Sequence, residues 1–155
     1  MSLEAARSYL RARGLEDRIR VMEADTATVA RAAAALGVSP GEIAKTLSFL
    51  MGDGAILVIA EGTARIDNGK FKQAFHTKAK MIPADRVEEL VGHAPGGVCP
   101  FGARADVPVY LDESLRKYER VYPAAGDDHS AVELTVPELE GALTVAGWVD
   151  VTKEG

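Results

Sequence analysis

Apolar and polar positions change period several times along this chain, and each change marks an element. Leu3, Ala6 and Leu10 recur at helical spacing, which predicts an amphipathic helix over 3–13 stopped by Gly14. Alternation in Ile19-Arg20-Val21-Met22-Glu23 predicts a first strand. Asp25 to Thr28 supply caps for a helix over 29–36, closed by Gly37, whose alanines make it thin enough to lie close on a sheet. Ser39-Pro40-Gly41-Glu42 has the form of a capping box with proline at the first helical position. The helix it opens is short, because 45–51 reads as a strand. Gly52-Asp53-Gly54 turns the chain and 55–60 returns as a buried partner, giving a hairpin.

Beyond the hairpin, Asp67 caps a helix carrying Phe71 and Phe75. A short strand is expected over 79–82, then a helix over 83–91 with proline and acid at its start and Gly92 at its end. Further strands are expected over 107–111, 118–122, 131–135 and 148–151, with a brief helix near 113–117 and another over 137–143. Short strands and helices are mixed without a repeated βαβ spacing. The prediction is α+β, with a mixed, curved sheet flanked by short helices.

Composition changes this picture little. The 155 residues predict one domain, residues 1–155, and 47% apolar with 26% charged residues is ordinary for a globular protein. The single cysteine, Cys99, excludes an intrachain disulfide framework, and the three histidines lack metal-ligand spacing, so no metal and no cofactor are assigned. The first residues include Glu4 and Arg7 with no sustained apolar run, and no later run is long enough to span a bilayer. A cytoplasmic protein with no membrane partner is expected. A net charge of −5 argues against general attraction to DNA or another polyphosphate. Local contact has one candidate, the cluster Arg65, Lys70, Lys72, Lys78 and Lys80, which reads equally as a solvated face or a phosphate track.

The stretch with most chemical content is Pro95-Gly96-Gly97-Val98-Cys99-Pro100-Phe101-Gly102. Its glycines and prolines exclude ordinary helix or central strand. Gly96, Gly97 and Val98 keep N–H groups that a sharp turn can aim at one carbonyl or oxyanion; a tight turn without chemistry fits the same residues. Lys45 stands where a capped turn meets a strand, suited either to snorkel to water or to face a cleft. Cys99 is a nucleophile if a base lies near, and otherwise a small apolar residue holding the turn.

Taken together, Val38-Ser39-Pro40-Gly41-Glu42-Ile43-Ala44-Lys45-Thr46-Leu47, the Gly-Gly-Val-Cys-Pro-Phe-Gly loop, and Gly126 followed by Ala131-Val132-Glu133-Leu134 resemble the YbaK/prolyl-tRNA synthetase-associated deacylases, in order and spacing, from about Leu15 to Leu143. That family hydrolyses mischarged tRNA. The resemblance implies a barrel-like mixed sheet and a cavity for the aminoacyl ester at the tRNA 3′ end. It implies catalytic roles for Lys45, which contacts the terminal phosphate or places the ester, and for Gly96, Gly97, Val98, Cys99 and Pro100, the loop whose amides position the carbonyl. Substrate binding falls to Thr28, Phe101, Gly102, Ala124, Gly126 and Ala131. Attack is by water, aided by the substrate's own ribose hydroxyl, and tRNA-Pro in trans is the expected substrate, with a synthetase as a further partner.

Three positions depart from the members that act on cysteinyl-tRNA: Ala124 and Ala131 stand where those carry Ser and Asp, and Thr28 stands at a pocket aromatic. These changes imply a smaller or more apolar side-chain contact. Asp127-Asp128-His129 has no counterpart in the pattern and reads as an exposed loop. Two other readings stay open: a noncatalytic module that binds a tRNA end or a synthetase, and a thiol hydrolase using Cys99.

Overall fold

The computed structural model describes residues 3–155. Helix α1 (Leu3–Arg11) buries Ala6 and Leu10 completely, as their spacing requires, and the chain turns at Gly14 with φ 74°. Strand β1 (Ile19–Val21) follows. Helix α2 (Val29–Leu36) begins where Thr28 Oγ1 accepts the Arg31 N–H at 3.2 Å and ends at Gly37 in the left-handed region. The capping box closes a single tight turn, Pro40–Glu42, in which the Ser39 N–H donates to Glu42 Oε1 at 2.9 Å. Strands β2 (Ile43–Met51) and β3 (Gly54–Glu61) then form the expected antiparallel hairpin, paired from Ala44↔Glu61 to Met51↔Gly54.

The remaining elements are β4 (Arg65–Ile66), α3 (Asn68–Phe75, capped by Asp67), α4 (Ala84–Val91), β5 (Val109–Asp112), β6 (Arg120–Pro123), β7 (Ser130–Val132), β8 (Leu134–Thr135), α5 (Val136–Ala142), β9 (Val145–Val149) and β10 (Thr152–Lys153). A six-stranded sheet runs β8-β6-β2-β3-β5-β9 and curls into a half-barrel. It is mixed: β2 with β3 and β6 with β8 are antiparallel, whereas β2 with β6, β3 with β5 and β5 with β9 are parallel. Two antiparallel ribbons, β1 with β7 and β4 with β10, flank it.

Strand β3 is the spine because both of its faces are buried. Leu57 and Ile59 enter the larger core with Leu10, Leu111, Leu115, Leu134 and Leu139. Ile56 and Val58 enter a smaller one with Phe49, Phe71 and Val151. Burying each such side chain stabilises the fold by about 1.5–3 kcal/mol. Tilted rings link Phe49, Phe71 and Phe75 at 4.8 Å each, and Phe75 meets Tyr110 edge-on at 5.0 Å.

Three expectations are corrected. Residues 79–82 are not a strand but an extended run, bridged to β2 at Phe49↔Met81 and by the Leu50 N–H to Lys80 and Ile82 N–H to Ser48 carbonyls at 2.8 and 3.1 Å. Pro83 follows at once and lacks a donor to continue the ladder. The strand expected over 131–135 is two, β7 on β1 and β8 on β6, because at Glu133 the N–H turns to the Arg18 carbonyl and the chain changes partner. The strand expected over 148–151 lies earlier, at Val145–Val149, since the buried Asp112 carboxylate takes the Val151 N–H at 2.9 Å and the Thr152 hydroxyl at 2.7 Å. Among the described residues no helix is long and apolar enough to cross a membrane.

Candidate functional site

The half-barrel has a gap along one edge of β2. That edge pairs with β6 only at Ile43 and Ala44, and meets the 80–82 run only from Ser48 onward. Backbone groups alternate sides along a strand, and Ser48 C=O and Leu50 N–H both face the 80–82 run. Thr46 N–H and C=O therefore face the same edge, within the gap. A cavity of about 300 Å³ opens there, between the Thr26–Ala32 segment, the start of β2, Met81 with the start of α4, and the kinked loop.

Lys45 lines this cavity, and because one edge of β2 is unpaired at that point the opening reaches residues of both strand faces. The side chain is half-buried and its Nζ donates to the Ala64 carbonyl. Burial holds the ammonium below the usual lysine value, with the Glu61 carboxylate opposing that shift. Glu61 is itself buried. Burial pushes its pKa upward, but donors outweigh it: Lys117 Nζ at 2.7 Å, the Thr63 hydroxyl and Tyr118 Oη at 2.7 Å keep the carboxyl below its usual range. A carboxylate this well paired anchors the turn after β3, from which the Ala64 carbonyl reaches Lys45.

In the kinked loop one amide is spent: the Gly97 N–H donates to the Ala94 carbonyl at 3.1 Å. Gly96 and Val98, which line the cavity, have N–H groups with no acceptor among the described residues. Gly96 sits at φ 91°, in the region that favours glycine. Gly97 lies against the main chain of Gly126 and Asp127, so closely that a Cβ would fall 2.5 Å from Asp127 Cα. The Asp127-Asp128-His129 trio has a structural task. Asp127 Oδ1 accepts the His129 N–H at 2.9 Å and the Ser130 hydroxyl at 2.6 Å, while the Asp128 carbonyl accepts the Thr26 N–H at 2.6 Å. The turn thus backs the loop and fastens the Thr26 segment across the cavity.

Cys99 lies behind the loop in the larger core, fully buried. His93 Nε2 donates to the Phe101 carbonyl at 2.8 Å, and the thiol, 3.7 Å from that nitrogen, donates to the same carbonyl at 3.5 Å. A nitrogen that must carry a proton for Phe101 has no lone pair to take one from Cys99. Burial pushes the thiol up to about 12, so the thiolate that a nucleophile needs is absent near neutrality.

Of the residues singled out from sequence, Lys45, Gly96, Val98, Thr28, Ala124 and Ala131 meet around one cavity. Gly97 and Gly126 stand behind its wall in mutual contact. Phe101 is core, and Gly102 packs on the Ala5 backbone of α1. Pro100 is buried. Sequence reasoning did not find Thr26, Thr46, Ser48 and Ser130 among the lining residues. Thr26 and Thr46 have buried hydroxyls with no hydrogen-bond partner among the described residues. Among those residues no group of three His, Cys, Asp or Glu side chains is placed as metal ligands would be.

Residues 23–142 match the family model of the aminoacyl-tRNA editing domain. The uncharacterized protein YwhH of Bacillus subtilis (strain 168) is 44% identical over 155 residues, covering 99% of each chain. A proline–tRNA ligase of Shouchella clausii (strain KSM-K16) is 31% identical over 133 residues, which are 81% of this chain and 23% of the ligase, so this chain spans about a quarter of that relative. Among solved structures, a candidate trans-editing enzyme for prolyl tRNA synthetase superposes with TM-score 0.86 at 32% identity, over 99% of this chain and 97% of that one. The hypothetical protein APE2540 gives TM-score 0.84 at 33% identity, over 94% and 97%.

Proposed function

Because this chain belongs to the aminoacyl-tRNA editing domain family, we propose that it hydrolyses the ester of a mischarged tRNA, with tRNA-Pro the acceptor. The observation that carries this reading is the convergence on one cavity of Lys45 and the unpaired amides of Gly96 and Val98. The likeness to proline–tRNA ligases supports tRNA-Pro, and the likeness to a candidate trans-editing enzyme supports action on tRNA charged elsewhere.

In this reading a water attacks the ester carbonyl carbon. The neighbouring ribose hydroxyl of the substrate relays the proton, and the bond to the ribose oxygen breaks, releasing a free amino acid and tRNA. The Gly96 and Val98 amides take the developing oxyanion; one such donor is worth about 2.7–4 kcal/mol in the transition state. Lys45 places the phosphate or the ester. A synthetase pocket separates substrates differing by one methylene by only about 1–3 kcal/mol, so a second site that destroys the wrong ester adds what the first cannot. The small residues Ala32, Ala44, Ala124 and Ala131 in the wall suit a small amino-acid side chain.

Incubation with a panel of misacylated tRNAs tests the reading. Ester loss above the buffer rate is expected, fastest on tRNA-Pro carrying a small residue. No loss with any of them at saturating protein leaves a binding module in its place.

A further inference from the structure

Between Asp67 and Asp85 the chain carries Lys70, Lys72, His76, Lys78 and Lys80 and no carboxylate, in a protein whose net charge is −5. Elsewhere, among the described residues, most arginines are neutralised: Arg7, Arg11, Arg18, Arg20, Arg31 and others each meet a carboxylate. Lys70 is likewise held, by Asp150 Oδ1 at 3.1 Å and the Thr152 carbonyl at 2.9 Å. Lys72, Lys78 and Lys80 are exposed and make no ion pair within the described residues. Lys72 lies in the last turn of α3, Lys80 stands on the extended run that hydrogen-bonds to β2, and Lys78 just precedes that run. The next residue, Met81, is 54% exposed and lines the cavity mouth.

We propose that Lys72, Lys78 and Lys80 form a phosphate track, along which the RNA strand bearing the ester runs to the cavity, with Met81 as the apolar step beside its terminal base. The inference rests on the deacylase reading for what occupies the cavity, and on charge and continuity for the track. A run of unpaired cations attracts a polyanion locally even on an acidic protein, since exposed charges act within about 8–10 Å at ordinary salt. The nearest carboxylates in sequence are Asp67, which caps α3, and Asp85, in the first turn of α4. Neither lies between the lysines and Met81. An apolar side chain at the end of such a track gives a base a surface to stack on as it leaves solvent.

The test is fluorescence anisotropy with a labelled, uncharged RNA hairpin carrying a single-stranded 3′ overhang, titrated at low and at physiological salt. Replacing Lys72, Lys78 and Lys80 together by Ala is expected to weaken binding on the order of tenfold and to flatten the salt dependence by about two units of slope. Lys→Arg at the same three positions retains both. Unchanged affinity and slope in the Ala variant, or no binding by the wild type, overturns the track. Hydrolysis of an aminoacyl ester of adenosine, measured in parallel, separates the two ideas. If no protein cleaves it the deacylase reading fails while the RNA result stands. If the Ala variant cleaves it like wild type but loses rate on full tRNA, the track is supported.

Discussion

Gly97 and Asp127 touch main chain to main chain: a Cβ on Gly97 would stand 2.5 Å from Asp127 Cα and 2.6 Å from its nitrogen. The contact locks the kinked loop to the turn that fastens the Thr26 segment, so one wall of the cavity is set against another. Backbone atoms cannot rotate away as a flexible side chain can. Gly97→Ala is expected to cost about 1–3 kcal/mol of stability and to lower deacylation with it. At Gly96 an added Cβ meets only ordinary contacts, 3.5 Å to Ala27 and 3.7 Å to Asp128, and the cost is the φ of 91°. Thermal unfolding beside rate measurement for the two alanine variants checks this; full activity in Gly97→Ala removes the loop from the mechanism.

Lys45→Met keeps the aliphatic stem and removes the ammonium. It loses one hydrogen bond, to Ala64, worth about 1 kcal/mol, whereas kcat/KM is expected to fall at least about tenfold. A fall in rate matched by a fall in folded fraction would make the lysine structural. Since burial lowers its pKa from 10.5, the alkaline limb of the wild-type rate profile should fall at lower pH than an ordinary lysine sets, and the limb should vanish in Lys45→Met.

The hydroxyls of Thr26 and Thr46 are buried without partners. Replacing either by Val removes an unsatisfied polar group whose burial costs about 1–3 kcal/mol, so the thermal midpoint should hold or rise. If the hydroxyls serve the bound ester, KM rises in the same variants. Lower stability with unchanged KM would show that they hold the fold.

Cys99 gives a pH prediction with a definite sign. Its folded pKa of about 12 stands above the 9.0 of an open thiol, so the neutral form favours the folded state. That contribution is whole below pH 9 and declines as pH rises toward 12, because the unfolded chain loses the proton first. Iodoacetamide near neutrality should leave the native thiol unmodified by mass, with labelling appearing in denaturant. Cys99→Ser, which keeps a donor for the Phe101 carbonyl, should retain deacylation. Loss of turnover in a folded serine variant would restore the thiol to the chemistry.

What could be read from the chain is what short-range physics decides. The hairpin followed from alternation around Gly52-Asp53, and Thr28, Gly37 and Asp67 cap as their types dictate. The break at Glu133 was not visible, because it depends on Arg18, more than a hundred residues earlier, receiving its N–H. Lys45, Gly96 and Val98 stood out through their local context and the resemblance it carries. Thr26, Thr46, Ser48 and Ser130 did not, since a lone hydroxyl looks the same on any strand or loop. Only the long-range pairing of β1 with β7 and the edge of β2 bring these residues around one space. The Asp127-Asp128-His129 turn was opaque for the same reason: the Thr26 N–H that the Asp128 carbonyl accepts is remote in sequence.

The stretch of β2 from Lys45 to Leu47, unzipped on one side, divides the labour of the chain. Everything knitted to β3 is rigid inheritance, while the lips of the seam come from three separate segments around Thr26, Met81 and Gly96. Each lip can exchange a side chain without unpicking a rung of the β2–β3 ladder. If the cavity takes the aminoacyl group as proposed, a protein built this way can change the size of the residue it admits and leave its foundation alone.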